Sequence, residues 1–195
     1  MFSIIPCAAG CGRAALSGSQ TCAIHAADQN KETARITAYI LEREVIKDLC
    51  APDLRFESVD FSRRSFYGCS FHGAAFSMCL FTRTSMRMCF FDFAFFDNCD
   101  FSHSDLQFMS FSGSGIRNCT FEGSELVHLN FGGAHISEST FNDSNLYNSR
   151  FIGAEMEYSD FIDCNTKRTY FVKTKQEGIS FKSSNTAEAV FELEF

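Results

Sequence analysis

Four side chains near the N-terminus have the types and spacing of a metal-ligand set. Cys7, Cys11, Cys22 and His25 form the pattern C-x3-C-x10-C-x2-H. Three thiolates and an imidazole suit a tetrahedral zinc ion, and ligands paired around short loops are the usual layout. All four would be protein side chains, so the site would be closed and the Zn2+ structural rather than catalytic. Gly10, just before Cys11, helps the chain turn around a metal. Nothing else in the first 27 residues builds a core, so a metal would supply the missing stabilisation. The competing reading is a tail of unbound or oxidised cysteines.

The elements that must carry such a site are legible further along the chain. The protein has 195 residues, 45 % of them hydrophobic, with 24 Phe, no Trp and two Pro. That is enough for one ordinary domain with a small appendage and a real core. A net charge of −7 and a pI near 5.2 argue against direct nucleic-acid binding, which needs a basic surface to displace counterions. No apolar run approaches the ~20 residues of a membrane span, so no membrane partner is expected. The first residues lack the charged and long apolar regions of a signal peptide. With ten Cys distributed over an ordinary-length chain, these features predict a cytoplasmic protein with reduced thiols.

From Phe56 to Phe161 every fifth residue is large and apolar, 22 positions in succession. A period of five fits neither a helix nor a plain strand. The residue two before each centre is usually small, for example Cys69, Ala74, Ser124 and Ser144. Two residues spaced by two share one face of an extended segment. Each pentad is therefore a short extended side with one large and one small residue inward. The position two after the centre often holds Gly, Asn or Asp, which tolerate positive φ and suit a corner. From Phe101 to Phe161 the centres alternate Phe with Leu, Ile or Met, which requires an even number of sides. Four sides fill a narrow interior, so twenty residues make one coil, and 18 of the 24 Phe stand at centre positions.

Cys69-Ser-Phe71-His-Gly73 followed by Ala74-Ala-Phe76, and Ser124-Glu-Leu126, resemble the pentapeptide-repeat proteins. The resemblance implies an all-β solenoid, a right-handed quadrilateral parallel β-helix of about seven coils over residues 53–195. At 4.7–4.9 Å per stacked strand the rod is on the order of 33 Å long. Residues 1–28 resemble short zinc-binding knuckles that precede other domains.

Residues 29–50 lack Gly and Pro and favour a helix, capped by Asp28 or Asn30 and ended by Pro52. Its apolar stripe is Ile36, Ile40, Leu41, Val45 and Leu49. This helix either covers Leu54, Phe56 and Val59 in the open first coil or binds a partner. Toward the C-terminus Thr166, Gln176 and Thr186 take centre positions, which predicts distorted final coils. The tail Ala189–Phe195 either closes the open end or pairs with another chain, giving a homodimer through the C-terminal end.

Cys79, Cys99 and Cys119 stack on one wall and Cys69 and Cys89 on the opposite one, as small hydrophobes. His72, His103, His128 and His135 point outward in different columns, with no acid or nucleophile beside them. A solenoid wall also offers no deep pocket, so no enzyme is expected. Outward apolar residues are the anomaly. Met88 and Phe108 share a corner column, Phe93 stands in a column of glycines, and Phe90 and Phe95 also face out. Either the N-terminal segment covers this patch or it binds an unidentified protein. The reading is a non-enzymatic interaction scaffold. The alternative rests on the resemblance, since some pentapeptide-repeat proteins mimic duplex DNA and bind type II topoisomerases such as DNA gyrase. Asp100, Glu122, Asp143, Asp160 and Asp163 would form the acidic wall for that role.

Overall fold

The computed structural model describes residues 4–192. Residues 193–195 of the tail, on which capping or pairing was expected, lie outside them. The pentad code closes into a parallel β-solenoid with four faces. Face one is a five-stranded sheet beginning at Val45–Lys47 and ending at Glu125–Val127. Face three is a seven-stranded sheet running from Arg55–Glu57 to Lys175–Glu177. Partners within each sheet are parallel, as in Phe56↔Phe76 and Ile116↔Ile136. Faces two and four are joined by single bridges, Cys50↔Ser70 through Tyr170↔Val190 and Asp60↔Leu80 through Asp160↔Ser180.

The centres fill the interior as ring columns. Phe101, Phe121, Phe141 and Phe161 stack on face four at centroid separations of 4.8, 4.7 and 4.6 Å. Phe111, Phe131, Phe151 and Phe171 stack on face two at 5.1, 4.7 and 5.0 Å. Neighbouring columns meet edge to face, as Phe121 does with Phe131 at 88°. Leu106, Ile116, Leu126 and Ile136 occupy the two remaining faces, all buried.

The small inward residue does more than make room. Ser104 Oγ donates to Phe81 O at 2.7 Å and accepts from Thr84 N at 3.1 Å. Ser124 and Ser144 donate in the same way to Phe101 O and Phe121 O, at 2.8 and 2.7 Å. Cys79 and Cys99 donate more weakly, to Phe56 O and Phe76 O at 3.5 Å each. These side chains serve backbone groups that the coil-to-coil ladder leaves over, groups that are costly to bury unpaired. Among the described residues no buried side-chain N or O atom lacks a partner.

Every corner residue from Asp48 to Ser183, at steps of five, has φ between about +47° and +69°. The side chains there include Met88, Phe93 and Phe108 as well as Gly, Asn and Asp. For non-glycine residues this conformation costs roughly 1–2 kcal/mol, so the closed ladder on both sides imposes it.

The helix α1 spans Gln29–Leu41, shorter than the 29–50 read from composition. Asp28 caps it, accepting from Lys31 N at 3.0 Å. The chain then leaves the helix because Val45, Ile46 and Lys47 pair with Ser65, Phe66 and Tyr67. Ile46 is thus an inward centre, and the solenoid begins about eight residues before residue 53. From the next coil, Arg64 donates to Ile40 O and Leu41 O at 3.2 and 3.1 Å and satisfies the helix end. Ile36 and Ile40 are buried in the same core as Leu49, Leu54 and Phe56, with Val59 against it. Leu41 and Val45, read as part of the same stripe, are 42 % and 48 % exposed. At the far end Gln176 is exposed and Phe191 is 37 % exposed. The core therefore thins in the last coils.

Candidate metal centre and interaction surface

The N-terminal segment folds into two tight turns that face each other. Pro6 bridges Ala14, and Cys7 N donates to Arg13 O at 2.9 Å, so Cys7 and Cys11 lie at a single loop. Gly10 and Gly12, at φ +71° and +79°, flank Cys11 and provide that reversal. Cys22 and His25 lie one turn apart on Ala23–His25, where His25 N donates to Cys22 O at 3.1 Å. As a result the ligand atoms of Cys7, Cys11, Cys22 and His25 all lie within 4.8 Å of one another.

Cys11 Sγ is 3.8 Å from Cys22 Sγ. His25 Nδ1 is 3.7 Å from Cys7 Sγ and 3.4 Å from Cys22 Sγ. Cys22 N donates to Cys7 Sγ at 3.3 Å. This N–H, followed by that of Ala9, lowers the Cys7 thiol to about 6, which favours the thiolate that a metal requires. Cys7 and Cys22 are buried while Cys11 is exposed. The set of four could hold a metal ion.

The segment is docked firmly on the solenoid. Ser17 N donates to Cys50 O, and Cys50 N donates to Ser17 Oγ, both at 2.8 Å. Arg13 pairs with Asp53 at 3.0 Å, and Arg35 of α1 donates to Ser17 O at 2.6 Å. Leu16 and Ala23 enter the core beside Ile36 and Ile40. The segment and α1 together thus form the lid of the first coil.

It leaves four of the five outward apolar residues uncovered, all but the half-buried Phe90. Met88, Phe93, Phe95 and Phe108 are 58 %, 65 %, 47 % and 55 % exposed. The structure separates the five residues: Met88, Phe90 and Phe108 lie on face two and its preceding corner, Phe93 at its following corner, and Phe95 on face three. Met88, Phe90 and Phe108 line one groove of about 730 Å3 with Val45, Lys47 and Tyr67. Gly68, which precedes Met88 and Phe108 in their corner column, opens it. Above it Phe108 stacks on His128 at 4.8 Å. Tyr67 was not singled out from sequence, although it adjoins the Gly68 gap in that column, and Val45 was read only as part of the helical stripe. Phe93 and Phe95 lie over bare backbone. A Cβ on Gly113 would come 2.6 Å from the Phe93 ring, and one on Gly115 2.7 Å from that of Phe95. A cleft of about 720 Å3 between the N-terminal segment and face two includes Ile4, Arg13, His72, Phe90 and Asp92.

The five wall acids all fall on face four and its following corner. Asp143, Asp160, Asp163 and Glu122 are exposed, while Asp100 is half-buried and accepts from Ser102 N at 2.8 Å. Arg63 and Arg83 precede them along the same corner, and Lys182 follows on the same face.

Residues 114–191 match the family model of the pentapeptide repeat region. That stretch, the later coils, therefore carries the pentapeptide repeat. No curated protein matches the chain in sequence. Solved structures similar to this chain include several pentapeptide-repeat proteins. HetL, involved in heterocyst differentiation regulation in the cyanobacterium Nostoc sp. strain PCC 7120, is 10 % identical. The match covers 83 % of this chain and 96 % of HetL, with a TM-score of 0.35. Full-length QnrB1, a plasmid-mediated fluoroquinolone resistance protein, is 15 % identical over 72 % of this chain and 90 % of its own, with a TM-score of 0.29. A pentapeptide-repeat protein of the Arabidopsis thaliana thylakoid lumen is 18 % identical over 78 % and 68 %, with a TM-score of 0.22. Among the described residues no helix is long and apolar enough to cross a membrane.

Proposed function

We propose that this protein is a non-enzymatic interaction scaffold, a rigid cytoplasmic rod that presents surface patches to a protein partner. The observation that carries the reading is the apolar groove lined by Met88, Phe90 and Phe108, with Phe93 at the far corner of the same face and Phe95 just beyond it on face three. A rigid wall holds these side chains at fixed spacing, so binding them loses little backbone entropy. Aromatic and Met side chains are the types enriched at interface cores. The test is affinity capture from the native host with wild type and with Met88→Ser/Phe108→Ser. A partner retained by wild type and lost by the variant, with unchanged circular dichroism, is the expected outcome. Equal retention would reject the groove.

The knuckle supports a structural zinc. A tetrahedron with bonds of ~2.3 Å to sulfur and ~2.0–2.1 Å to nitrogen has edges of roughly 3.8 Å between sulfurs and 3.6 Å between sulfur and nitrogen. The separations of 3.8, 3.7 and 3.4 Å fit that set. Cys7, Cys11, Cys22 and His25 would hold the ion, which would lock two turns that otherwise place only Leu16 and Ala23 in the core.

A second reading is favoured by one feature, the confinement of Asp100, Glu122, Asp143, Asp160 and Asp163 to one wall. Such a wall would imitate duplex DNA toward DNA gyrase. Inhibition of supercoiling by micromolar protein, abolished by reversing Asp143 and Asp163 to Lys, would support it. No effect would remove it. Pairing of two chains through the thinning C-terminal end completes the proposal, because Phe181 and Phe191 remain only partly covered there.

A further inference from the structure

One corner column, between face four and face one, is ordered by charge. Coil by coil it reads Arg63, Arg83, His103, Gly123, Asp143, Asp163. Its four full charges are exposed. Among the described residues none of the four enters an ion pair. Elsewhere the rod neutralises charge between adjacent coils, through Arg87–Asp105, Arg117–Asp97 and Lys175–Glu155. In this column like charges instead stand one coil apart, at a rise of ~4.8 Å. Arg63 adjoins Arg83 and Asp143 adjoins Asp163, so the arrangement is self-repelling within a single chain.

We propose that this edge is an interface with a second copy of the same chain, laid alongside in antiparallel orientation. A two-fold axis between the coils of His103 and Gly123 sets Arg63 opposite Asp163 of the second copy and Arg83 opposite its Asp143. The same two pairs recur on the other side of the axis, as an isologous contact requires. The spacing matches automatically, because both copies share one coil rise. At the axis His103 meets Gly123. Gly123 has no side chain to obstruct the approach, and within its own chain it already lies under the His103 ring, 2.6 Å from a Cβ position. Beside the column, Asp105 would approach Glu125 on face one, and Asp60 would lie level with Asp160 farther back on face four. Asp105 and Glu125 each already have a partner in their own chain, Arg87 at 2.5 Å and Asn145 at 2.7 Å.

An edge contact buries less than the ~1,200 Å2 of a standard interface, so the association is weak and reversible. It is also salt-sensitive, because exposed pairs are screened within ~10 Å at 0.1 M salt and ~3 Å at 1 M. It is independent of the apolar groove and of the C-terminal end.

Sedimentation equilibrium of the full chain tests this. In low salt the apparent mass should rise above the 21.9 kDa of one chain with concentration, and should return toward it in high salt. Arg83→Asp and Asp143→Arg should each weaken association by about tenfold or more, since each reversal converts two attractive pairs to repulsive ones. The double variant Arg83→Asp/Asp143→Arg should restore it. Arg63→Asp with Asp163→Arg provides an independent repeat, and circular dichroism verifies folding. A monomer at every salt concentration would overturn the proposal. So would single reversals without effect, or a double swap without rescue. A dimer indifferent to salt and to both reversals would also overturn it, and would point to the C-terminal end.

Discussion

Phe121→Ala should cost about 3–5 kcal/mol of stability, among the largest effects of any single core change. Its ring is fully buried, stacked between Phe101 at 4.8 Å and Phe141 at 4.7 Å, and edge-on to Phe111 and Phe131 at 6.3 Å. Removing it leaves a void that two parallel ladders cannot collapse into, because their hydrogen bonds fix the coil separation. It also breaks ring contacts, each worth roughly 0.5–1.5 kcal/mol beyond area. The control is Phe191→Ala, at a position of the same pentad type but 37 % exposed in the last coil. It should cost about 1 kcal/mol or less, in line with partial burial. Urea unfolding of the three proteins reads the difference. Equal costs would mean that the column is not continuous.

Metal removal is the second large effect. The protein should contain one zinc per chain, and Cys22→Ser should lower that stoichiometry well below one. Structural zinc sites of this composition supply on the order of 10 kcal/mol of apparent binding energy. Here that energy would order only the segment up to about residue 28. Chelation should therefore unfold the N-terminal part of the lid and leave α1 and the coils. Proteolysis after chelation should remove the N-terminal segment and stop near α1, which is held by Ile36, Ile40 and Arg64. Unchanged zinc in Cys22→Ser, or an untouched lid after chelation, would refute the assignment.

The core was legible because the pentad code concerns the inward residues alone. Phe56 through Phe161, the opposite cysteine walls and the Asp28 cap can all be read from local pattern. The start of the solenoid could not. Glu42, Arg43 and Glu44 favour continuing the helix, and Ala51 interrupts the large centres, so Ile46 stands isolated in sequence. Its role is decided twenty residues later, by Ser65–Tyr67 and by Arg64 at the helix end. The outward side chains follow no such code. Sequence marks Phe93 as anomalous in a glycine column, but only the neighbouring coil shows its ring lying over Gly113. The choice of Ser, Thr or Cys at the small position is likewise a matter of hydrogen bonds 20 and 23 residues apart. Size alone does not predict it.

Counting reactive thiols tests the account most directly, because the ten cysteines sample both the ring-lined interior and the lid. Cys69, Cys79, Cys89, Cys99, Cys119 and Cys164 are buried in the coils. The Cys119 side chain pushes Cys99 up to about 12, and burial pushes Cys164 up to about 11, which further suppresses the nucleophilic thiolate. With zinc bound, only the half-buried Cys50 should react with an aromatic disulfide reagent, and slowly. A chelator should release the three lid thiols, and denaturant the remaining six. Rapid reaction of the six coil thiols in the native protein would contradict the four-sided, inward-facing core on which the rest depends.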